Sequence, residues 1–380
     1  MNKNLLNAIF LISGTAIGAG LIALPLTAVN LGVGISTAII CLAIFIAYQS
    51  SMMTIDLNEA NRAPASIVDL SRNLSGQRAF LISMASFYAL SFSLLMVYFS
   101  GIASTLCSFF DLNNNAVVVA SSLALFGVLN LKYAQFSKLN SALVIVLLVI
   151  IVAFVFQMQT VETAKSASYE PQTSLKEIAT FLPIIFTSFG VQNICSNIYE
   201  HLNKNKKQIK KAFFIGILIP AIVYMSWTSS VFENILAQDV SFFEKLQNHQ
   251  ISVGELIKFL CDSSNNVYME KFFKILSLFA IATSAIGIGL GLKKSIEETI
   301  APSPCIASAI VCLIPAIVCI TIPNAFIKIL SFGGMIATVF VIFVPYYINK
   351  KLEHRMGFGY NLCLIYGLLV VVCEVFQLLF

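Results

Sequence analysis

The sequence predicts an all-α polytopic membrane protein with about 11 transmembrane helices. Of its 380 residues, 58% are hydrophobic and only 11% are charged. Long charge-free windows also recur, each able to hold the roughly 20 apolar residues of one span. Soluble domains carry about 25% charged residues, so a water-soluble enzyme is excluded. Continuous apolar runs also favour helices over the alternating strands of an outer-membrane barrel.

Charged residues mark the ends of the predicted spans, because a charge at mid-bilayer costs about 2.5–3.5 kcal/mol. No Asp, Glu, Lys or Arg occurs between Lys3 and Asp56, which leaves room for two spans. The residues Asn30–Gly34 supply the turn between them. The spans are predicted at 5–29, 34–56, 79–109, 115–132, 138–158, 178–200, 211–233, 271–293, 301–322, 325–348 and 358–379.

The distribution of Lys and Arg predicts the orientation. With the N-terminus inside, 16 of the 23 Lys and Arg residues fall on the inner side. The positive-inside rule therefore places the N-terminus in the cytoplasm and, with an odd number of spans, the C-terminus outside. The formal net charge of +5 is then a consequence of topology, and no nucleic-acid-binding patch is predicted.

Residue types that usually carry catalysis or bind metals form no cluster. The nine Cys include no C-x-x-C pair, and His201, His249 and His354 lie far apart. Neither a metal site nor a cofactor is therefore predicted. No nucleophile motif and no phosphate-binding loop occurs, so neither an enzyme nor an ATP-driven pump is predicted.

Predicted span 1 contains a cluster of helix-weakening residues. Gly14, Gly18 and Gly20 precede Pro25, and each glycine weakens a helix by about 1 kcal/mol relative to Ala. Two interpretations stay open from composition alone. The glycines form a close helix-packing face, or the helix unwinds there and presents backbone donors and acceptors to a ligand.

Predicted span 6 contains a second cluster, with Pro183, Thr187, Ser188 and Gly190. Spans 1 and 6 each open a set of five spans, and five is odd, so the second set is expected to be inverted relative to the first. Paired interrupted helices in two inverted halves indicate a transporter binding site at mid-membrane. Half-helix N-termini suit a carboxylate and half-helix C-termini suit an ammonium group or a small cation. A zwitterionic amino acid matches both.

The predicted organisation follows from this symmetry. The ranges are 1–158 for the first five-helix repeat, 159–177 for an outer loop, 178–348 for the inverted repeat, and 349–380 for an inner loop and the eleventh helix.

Predicted span 8 places two hydroxyls, Thr283 and Ser284, in an otherwise apolar segment. One interpretation is that both hydroxyls bond to carbonyls of their own helix. The other is that they face span 1 and complete a cation site with its carbonyl oxygens.

Three stretches carry a resemblance to a known family: GTAIGAGLIALPL (14–26), LPIIFTSFG (182–190) and ATSAIGIGLGL (282–292). On these the chain resembles the hydroxy/aromatic amino acid permeases, the bacterial tyrosine- and tryptophan-specific transport proteins of the amino acid–polyamine–cation superfamily. The resemblance implies a leucine-transporter-like 5+5 inverted repeat plus one extra helix, with helices 1 and 6 discontinuous. It also implies an ion-coupled symporter of the bacterial inner membrane that imports aromatic amino acids, tyrosine first.

The resemblance further implies two sets of site residues. The substrate site is expected at Thr15, Ala16, Gly18, Ala19, Gly20, Tyr88, Phe92, Phe186, Thr187, Ser188 and Phe189. The cation site is expected at Gly14, Ile17, Ala280, Thr283 and Ser284. The expected partners are a small amino acid and membrane lipid, and no obligatory protein partner is evident.

The coupling ion and the substrate range stay open at this point. The family tends to carry a Lys within span 5, whereas residues 140–145 here read NSALVI without a charge. Proton symport is what the resemblance implies, and the missing Lys together with Thr283 and Ser284 leaves sodium open. A broader neutral amino acid transporter is also compatible. A passive channel or an intramembrane enzyme is disfavoured, since neither charged rings nor an acid pair occurs at membrane depth.

Other segments are expected to have structural roles. Glu374 is the only acid well inside a predicted span, and an interfacial or oligomer contact is favoured for it over a proton relay. Ile67, Leu70 and Leu74 recur at helical spacing and predict an amphipathic inner helix. The outer loop 234–270 is long, so it is expected to be ordered or to form a lid.

Overall fold

All regular structure in the described chain is helical. A computed structural model describes residues 3–18, 20–131, 149, 170–262, 267–300, 303–322, 326–354 and 356–379. Within these ranges eight helices are long and apolar enough to cross a membrane, and a bent pair would make a ninth. The shorter apolar helix Asn114–Leu129 occupies the place of predicted span 4. The all-α polytopic class is confirmed.

The helices run in the following order, with one 3₁₀ turn at Gln192–Ile194 and one π-helical segment at Val339–Phe343. They are α1 (Lys3–Ala16), α2 (Gly20–Ala28), α3 (Gly32–Ala60), α4 (Ile67–Ser75), α5 (Gln77–Phe109), α6 (Asn114–Leu129), α7 (Leu175–Ser188), α8 (Cys195–His201), α9 (Lys206–Gln238), α10 (Val240–Gln247), α11 (Val253–Asp262), α12 (Val267–Thr299), α13 (Pro304–Thr321), α14 (Phe326–Thr338), α15 (Val344–Lys351) and α16 (Phe358–Leu379).

Predicted span 1 is broken, as expected, into α1 and α2, which are bent by 51° relative to each other. The backbone N–H of Ile17 still donates to Ser13 O at 3.1 Å, so regular winding persists up to that point. The break is therefore shorter than the glycine cluster suggested, and Gly14 lies inside α1. Ala19, within the break, lies outside the described residues.

Predicted span 6 is also broken, and its break begins after Ser188. Gly190 N donates to Thr187 O at 3.1 Å and Val191 N donates to Phe189 O at 2.7 Å, so short turns replace the α-helical pattern. The 3₁₀ turn follows, and α8 resumes the helix at Cys195. The predicted discontinuity of this span is confirmed.

Small residues let the helices cross closely around these breaks. A Cβ at Gly216 of α9 would lie 2.7 Å from Ile12 Cβ of α1. A Cβ at Gly334 of α14 would lie 2.3 Å from Pro183 O of α7. The long helix α5 packs against α11, α12 and α14. Such close contacts suit a membrane bundle, where packing rather than hydrophobic burial holds helices together.

Two loops fold as the pattern predicts. Ser66 caps α4 by accepting from Asp69 N, and α4 buries Ile67 and Leu70. The outer loop is ordered over its described part, with α10 and α11 joined by Phe242 and Phe259, whose rings stack 4.1 Å apart.

Glu374 is placed differently from expectation. Its side chain is 3% exposed, and its carboxylate accepts a hydrogen bond from the Ser331 hydroxyl of α14 at 2.6 Å. Nearby on α16, the Tyr366 hydroxyl donates to Leu182 O of α7 at 3.1 Å. Glu374 therefore joins helices within the chain, because α16 docks against α7 and α14 with this face inward.

Two further expectations are affected by the extent of the described chain. Predicted span 5, at 138–158, lies outside it except for Val149, as does most of the outer loop 159–177. The total of eleven spans and the division into two inverted repeats therefore stay predictions.

The turn expected at Asn30–Gly34 is shorter than predicted, since α3 already begins at Gly32, whose φ of 71° turns the chain.

Candidate functional site

The hydroxyl of Tyr224 lies between the two helix breaks. It donates to Ala16 O, the last residue of α1, at 2.6 Å, and it lies 3.4 Å from Ser188 O, the last residue of α7. The Tyr224 side chain is fully buried, and its ring meets the Phe189 ring edge-on at 5.5 Å. One side chain of the unbroken helix α9 thus connects both broken helices.

Glycine makes this close arrangement possible. A Cβ at Gly20 would lie 2.4 Å from Ser188 Oγ and 2.8 Å from the Tyr224 hydroxyl. A Cβ at Gly18 would lie 2.6 Å from Ser284 Oγ. Contacts this short require one of the groups to move, so neither position has room for a side chain in this state.

The hydroxyls of Thr283 and Ser284 on α12 were expected either to bond to their own helix or to face span 1. Each interpretation holds in part. Thr283 Oγ1 donates to Phe279 O at 2.8 Å, and Ser284 Oγ donates to Ala280 O at 3.0 Å, so both are bonded to their own helix. Ser284 also faces Gly18 across the break and lies beside Tyr98 on α5. Ser284 therefore lies at the break of span 1.

Six of the expected site residues come together at this point, with Tyr98 and Tyr224 beside them. They are Ala16, Gly18, Gly20, Ser188, Phe189 and Ser284.

The other expected residues lie around this cluster or face away from it. Thr15 is exposed, and its hydroxyl donates to Leu11 O at 2.7 Å. Thr187 Oγ1 donates to Pro183 O at 2.9 Å. Phe186 packs its ring against Tyr366 of α16 at 5.6 Å, on the side of the eleventh predicted helix.

The expected cation residues differ in burial. Gly14 is half-buried, whereas Ile17, Ala280 and Thr283 are buried. Among groups of His, Cys, Asp and Glu in the described residues, none is arranged to hold a metal ion.

Tyr88 does not reach the cluster. The Tyr88 hydroxyl bonds to Ser295 O at 3.1 Å and contacts the Thr299 hydroxyl, near the end of α12. Because a helix rises 1.5 Å per residue, Tyr88 lies about 15 Å along α5 from Tyr98. Phe92, one turn from Tyr88, is only half-buried. Tyr98 of α5 lies beside Ser284, which faces the break.

Sequence reasoning missed Tyr224. The only signal is that Tyr224, Trp227 and Thr228 share one face of predicted span 7 at helical spacing, and all three are buried. A stripe of amphipathic side chains on an apolar span marks a face turned toward protein.

The electrostatics of the site come from helix ends. The clustered side chains named above are neutral, so the partial charges of the backbone dominate. The first turn of α2, which begins at Gly20, has no acceptors for its N–H groups within its own helix, although Leu21 N donates to Gly18 O at 3.0 Å. Ala16 and Ser188 end α1 and α7 with carbonyl oxygens. A ligand bearing both an anionic and a cationic group is complementary to this arrangement.

Comparisons with known proteins agree with this architecture. A model of the tryptophan/tyrosine permease family matches residues 1–376. Glutamine transporter 2 of Aliivibrio fischeri is 23% identical, with 91% of this chain and 88% of the relative covered. Tyrosine-specific transport system 1 of Haemophilus influenzae is 24% identical, with 91% and 87% covered.

Solved structures match over nearly the whole chain. A manganese transporter of Eremococcus coleocola gives a TM-score of 0.64 at 14% identity, with 97% of this chain and 85% of that chain covered. MhsT in complex with L-phenylalanine gives a TM-score of 0.59 at 14% identity, with 100% and 98% covered. Both belong to the leucine-transporter-like class, so this fold is confirmed.

Proposed function

Because the chain belongs to the tryptophan/tyrosine permease family, we propose that it is a proton-coupled symporter importing aromatic amino acids, with tyrosine as its first substrate. The chain is a membrane transport protein and not an enzyme, in agreement with its permease relatives. The proposed location is the bacterial inner membrane, with the N-terminus in the cytoplasm and the C-terminus outside. The proposed partner is the free amino acid, without a cofactor.

The observation that carries this proposal is the meeting of two broken helices at Tyr224. Free backbone groups inside a membrane are costly unless they line a binding site. The N–H groups at the start of α2 suit a carboxylate, and the carbonyls of Ala16 and Ser188 suit an ammonium group. In this closed arrangement the Tyr224 hydroxyl bonds to Ala16 O, so substrate is proposed to displace it.

An aromatic substrate is favoured by the rings around the breaks. Phe189 and Tyr224 already pack edge-on at 5.5 Å, and Tyr98 lies across from them beside Ser284. Aromatic pairs of this geometry contribute about 0.5–1.5 kcal/mol beyond their buried area. A tyrosine side chain entering between these rings would gain the same contacts.

The proposed coupling ion is the proton. The hydroxyls of Thr283 and Ser284 donate to carbonyl oxygens of their own helix. The carbonyl oxygen of Ala280 accepts from both hydroxyls. That carbonyl is therefore less able to ligate a cation. Sodium stays as the alternative, because the Ser284 hydroxyl oxygen, which faces Gly18 at the break, keeps lone pairs that could ligate a cation.

The proposed mechanism is alternating access around the fixed site. The bundle formed by α1–α2, α3, α7–α8 and α9 rocks against a scaffold that includes α5, α6, α12, α13 and α14–α15. Ion and substrate bind together between the broken helices, and rocking exposes them to the other side.

Uptake in proteoliposomes tests the substrate. Radiolabelled tyrosine is competed with each of the twenty amino acids at saturating concentration. We expect tyrosine, phenylalanine and tryptophan to suppress the signal and glutamine to leave it. Strong competition by glutamine together with none by tryptophan would contradict the aromatic assignment, and it would favour the specificity named for the Aliivibrio fischeri relative.

The same proteoliposomes test the ion. An inwardly directed proton gradient is imposed with sodium absent, then a sodium gradient without a pH difference. Proton-driven accumulation in the first condition supports the proposal. Accumulation only in the second condition would replace the proton with sodium.

A further inference from the structure

A groove of about 600 Å³ lies at the proposed inner membrane boundary, away from the candidate site. One wall is the start of α5, and the other is the π-helical segment with α15. The lining residues that matter here are Arg78, Ile82, Val339, Phe343, Tyr347 and Lys351. Two of these six are cations and the others are apolar or aromatic.

The two cations have no acidic partner in the described chain. Lys206 of α9 contrasts with them, since it pairs with Asp56 at 3.1 Å and with Glu59 at 2.7 Å. Lys351 Nζ donates to Ser75 O at 3.0 Å, which holds the ammonium group at the groove and leaves it further N–H donors. Arg78 is exposed beside it in the first turn of α5.

The backbone adds to this positive charge. Gly76, with φ of 92°, precedes α5 and provides no side-chain cap. The N–H groups of the first helical turn have no acceptor within their own helix, and the helix dipole is positive at this end. Arg78, Lys351 and this turn therefore present positive charge on one side of the groove.

The rest of the groove lining is apolar and open. Ile82 is 55% exposed and Tyr347 is 56% exposed, and Phe343 also lines the groove. An aromatic ring with a polar end suits the level of the lipid headgroups. A positive rim above an apolar wall is complementary to an amphiphile with an anionic head.

We propose that this groove binds an anionic phospholipid of the inner leaflet, with its phosphate between Arg78 and Lys351. One acyl chain runs along Ile82 and Phe343 toward the membrane interior. Basic pockets at the cytoplasmic side of membrane helices bind anionic headgroups in this way. The proposal rests on the orientation given under the proposed function, and it is independent of the transported substrate.

The test compares two double variants that each remove two inner-side charges. Arg78→Gln with Lys351→Gln removes both cations of the groove, while Lys207→Gln with Lys210→Gln removes two exposed cations of α9 outside it. Binding of phosphatidylglycerol and of phosphatidylcholine to the purified protein is measured by native mass spectrometry. Each lysine or arginine near an anionic surface contributes a few-fold in affinity, so we expect about a tenfold or greater loss for the groove variant. The α9 variant should bind as the unchanged protein does.

A single variant and a soluble competitor complete the lipid-binding test. The single variant Arg78→Gln, at an exposed position, keeps the test valid if the double variant loses its fold. Soluble glycerol 3-phosphate should not displace the bound phosphatidylglycerol, since it lacks acyl chains. Equal losses in the two double variants, equal binding of phosphatidylcholine, or displacement by glycerol 3-phosphate would each overturn the proposal. None of these measurements involves amino acid uptake, so a failure of the lipid proposal can be distinguished from a failure of the proposed transport function.

Discussion

At the scale of single residues, Tyr224 has a role that its neighbours cannot replace. Its hydroxyl meets a backbone carbonyl at each helix break, while its ring packs against Phe189. The hydroxyl and the ring therefore do separate things, and a substitution can remove one while keeping the other.

Tyr224→Phe removes the hydroxyl and retains the ring. The carbonyl of Ala16 then loses its buried donor, which costs about 1–3 kcal/mol. We expect the closed arrangement to be destabilised and the KM for tyrosine to change by about fivefold or more, while the protein still folds. Uptake kinetics and thermal unfolding of the purified variant measure the two effects. Tyr346→Phe, which removes an exposed hydroxyl bonded to Asn361, is the matched control. Equal kinetics in both variants would remove Tyr224 from the site.

Gly20→Ala tests the close approach of the two broken helices. The new Cβ would meet Ser188 Oγ at 2.4 Å and the Tyr224 hydroxyl at 2.8 Å. Overpacking of this kind costs about 1–3 kcal/mol, although alanine is the better helix former. We expect loss of tyrosine uptake in a variant that still reaches the membrane. Gly287→Ala on α12 is the control, because its Cβ meets nothing within 4 Å. Full uptake by the Gly20 variant would show that the breaks need no such contact.

These residues differ in how visible they are in the sequence. Gly18, Gly20 and Ser188 could be found because a broken helix in lipid needs glycines and hydroxyls, which are unusual in an apolar span. Tyr224 could not, since it lies in an unbroken helix and is one of 12 tyrosines. Tyr88 was expected at the site and faces Ser295 instead, because sequence spacing does not show which turn of α5 faces the break.

At the scale of elements, the interruptions and the amphipathic helix could be predicted from local chemistry. Pro183 and Gly190 weaken span 6 by themselves, and the spacing of Ile67 and Leu70 requires only a helix on a surface. The π-helical segment Val339–Phe343 consists of ordinary apolar residues, and Pro345 follows it in the first turn of α15. Proline has no N–H to donate to the residue four positions earlier, which here is Val341. The proline therefore marks a disturbed helix, but the sequence does not show that the helix widens there instead of bending or ending.

The turn between α10 and α11 is held to the start of α7 by a titratable pair. His249 Nε2 lies 3.0 Å from Glu177 Oε1, and Asn30 Nδ2 donates to the adjacent Gln247 O at 2.8 Å. Lys176 also faces His249 from α7. The hydrogen bond to Glu177 raises the pKa of His249 above its ordinary value of 6.5.

This pair predicts a pH dependence of the outer loop. A raised folded-state pKa means that the contact contributes fully below about pH 6.5 and is lost as pH rises through the folded-state value. We therefore expect hydrogen exchange of 240–262 to be slower at pH 6 than at pH 8, after correction for the intrinsic rate. The effect is modest, because about half of the His249 side chain is exposed. His249→Gln should remove the difference, and a pH response that survives in this variant would exclude the pair as its cause.

At the scale of the whole molecule, two contacts join helices on the predicted outer and inner sides. On the predicted outer side, Gly254 N of α11 donates to Ser104 Oγ of α5 at 2.9 Å. A Cβ at Gly254 would lie 2.1 Å from Ser104 O. On the predicted inner side, Asn349 Nδ2 of α15 donates to Met53 O of α3 at 3.1 Å. Alternating access requires each of these contacts to be released while the other holds.

Two substitutions should therefore shift the molecule in opposite directions. Gly254→Ala prevents α11 from seating on α5 and favours outer opening, whereas Asn349→Leu removes the inner contact and favours inner opening. Cys195 reports inner opening, since it is buried on α8 beside Ser51 O of α3. With every other cysteine replaced, its alkylation from the inner side should be about fivefold faster in Asn349→Leu, as expected for about 1 kcal/mol of lost hydrogen bonding. In Gly254→Ala the rate should fall or stay unchanged. A change in the same direction in both variants would contradict a molecule whose two ends open in alternation.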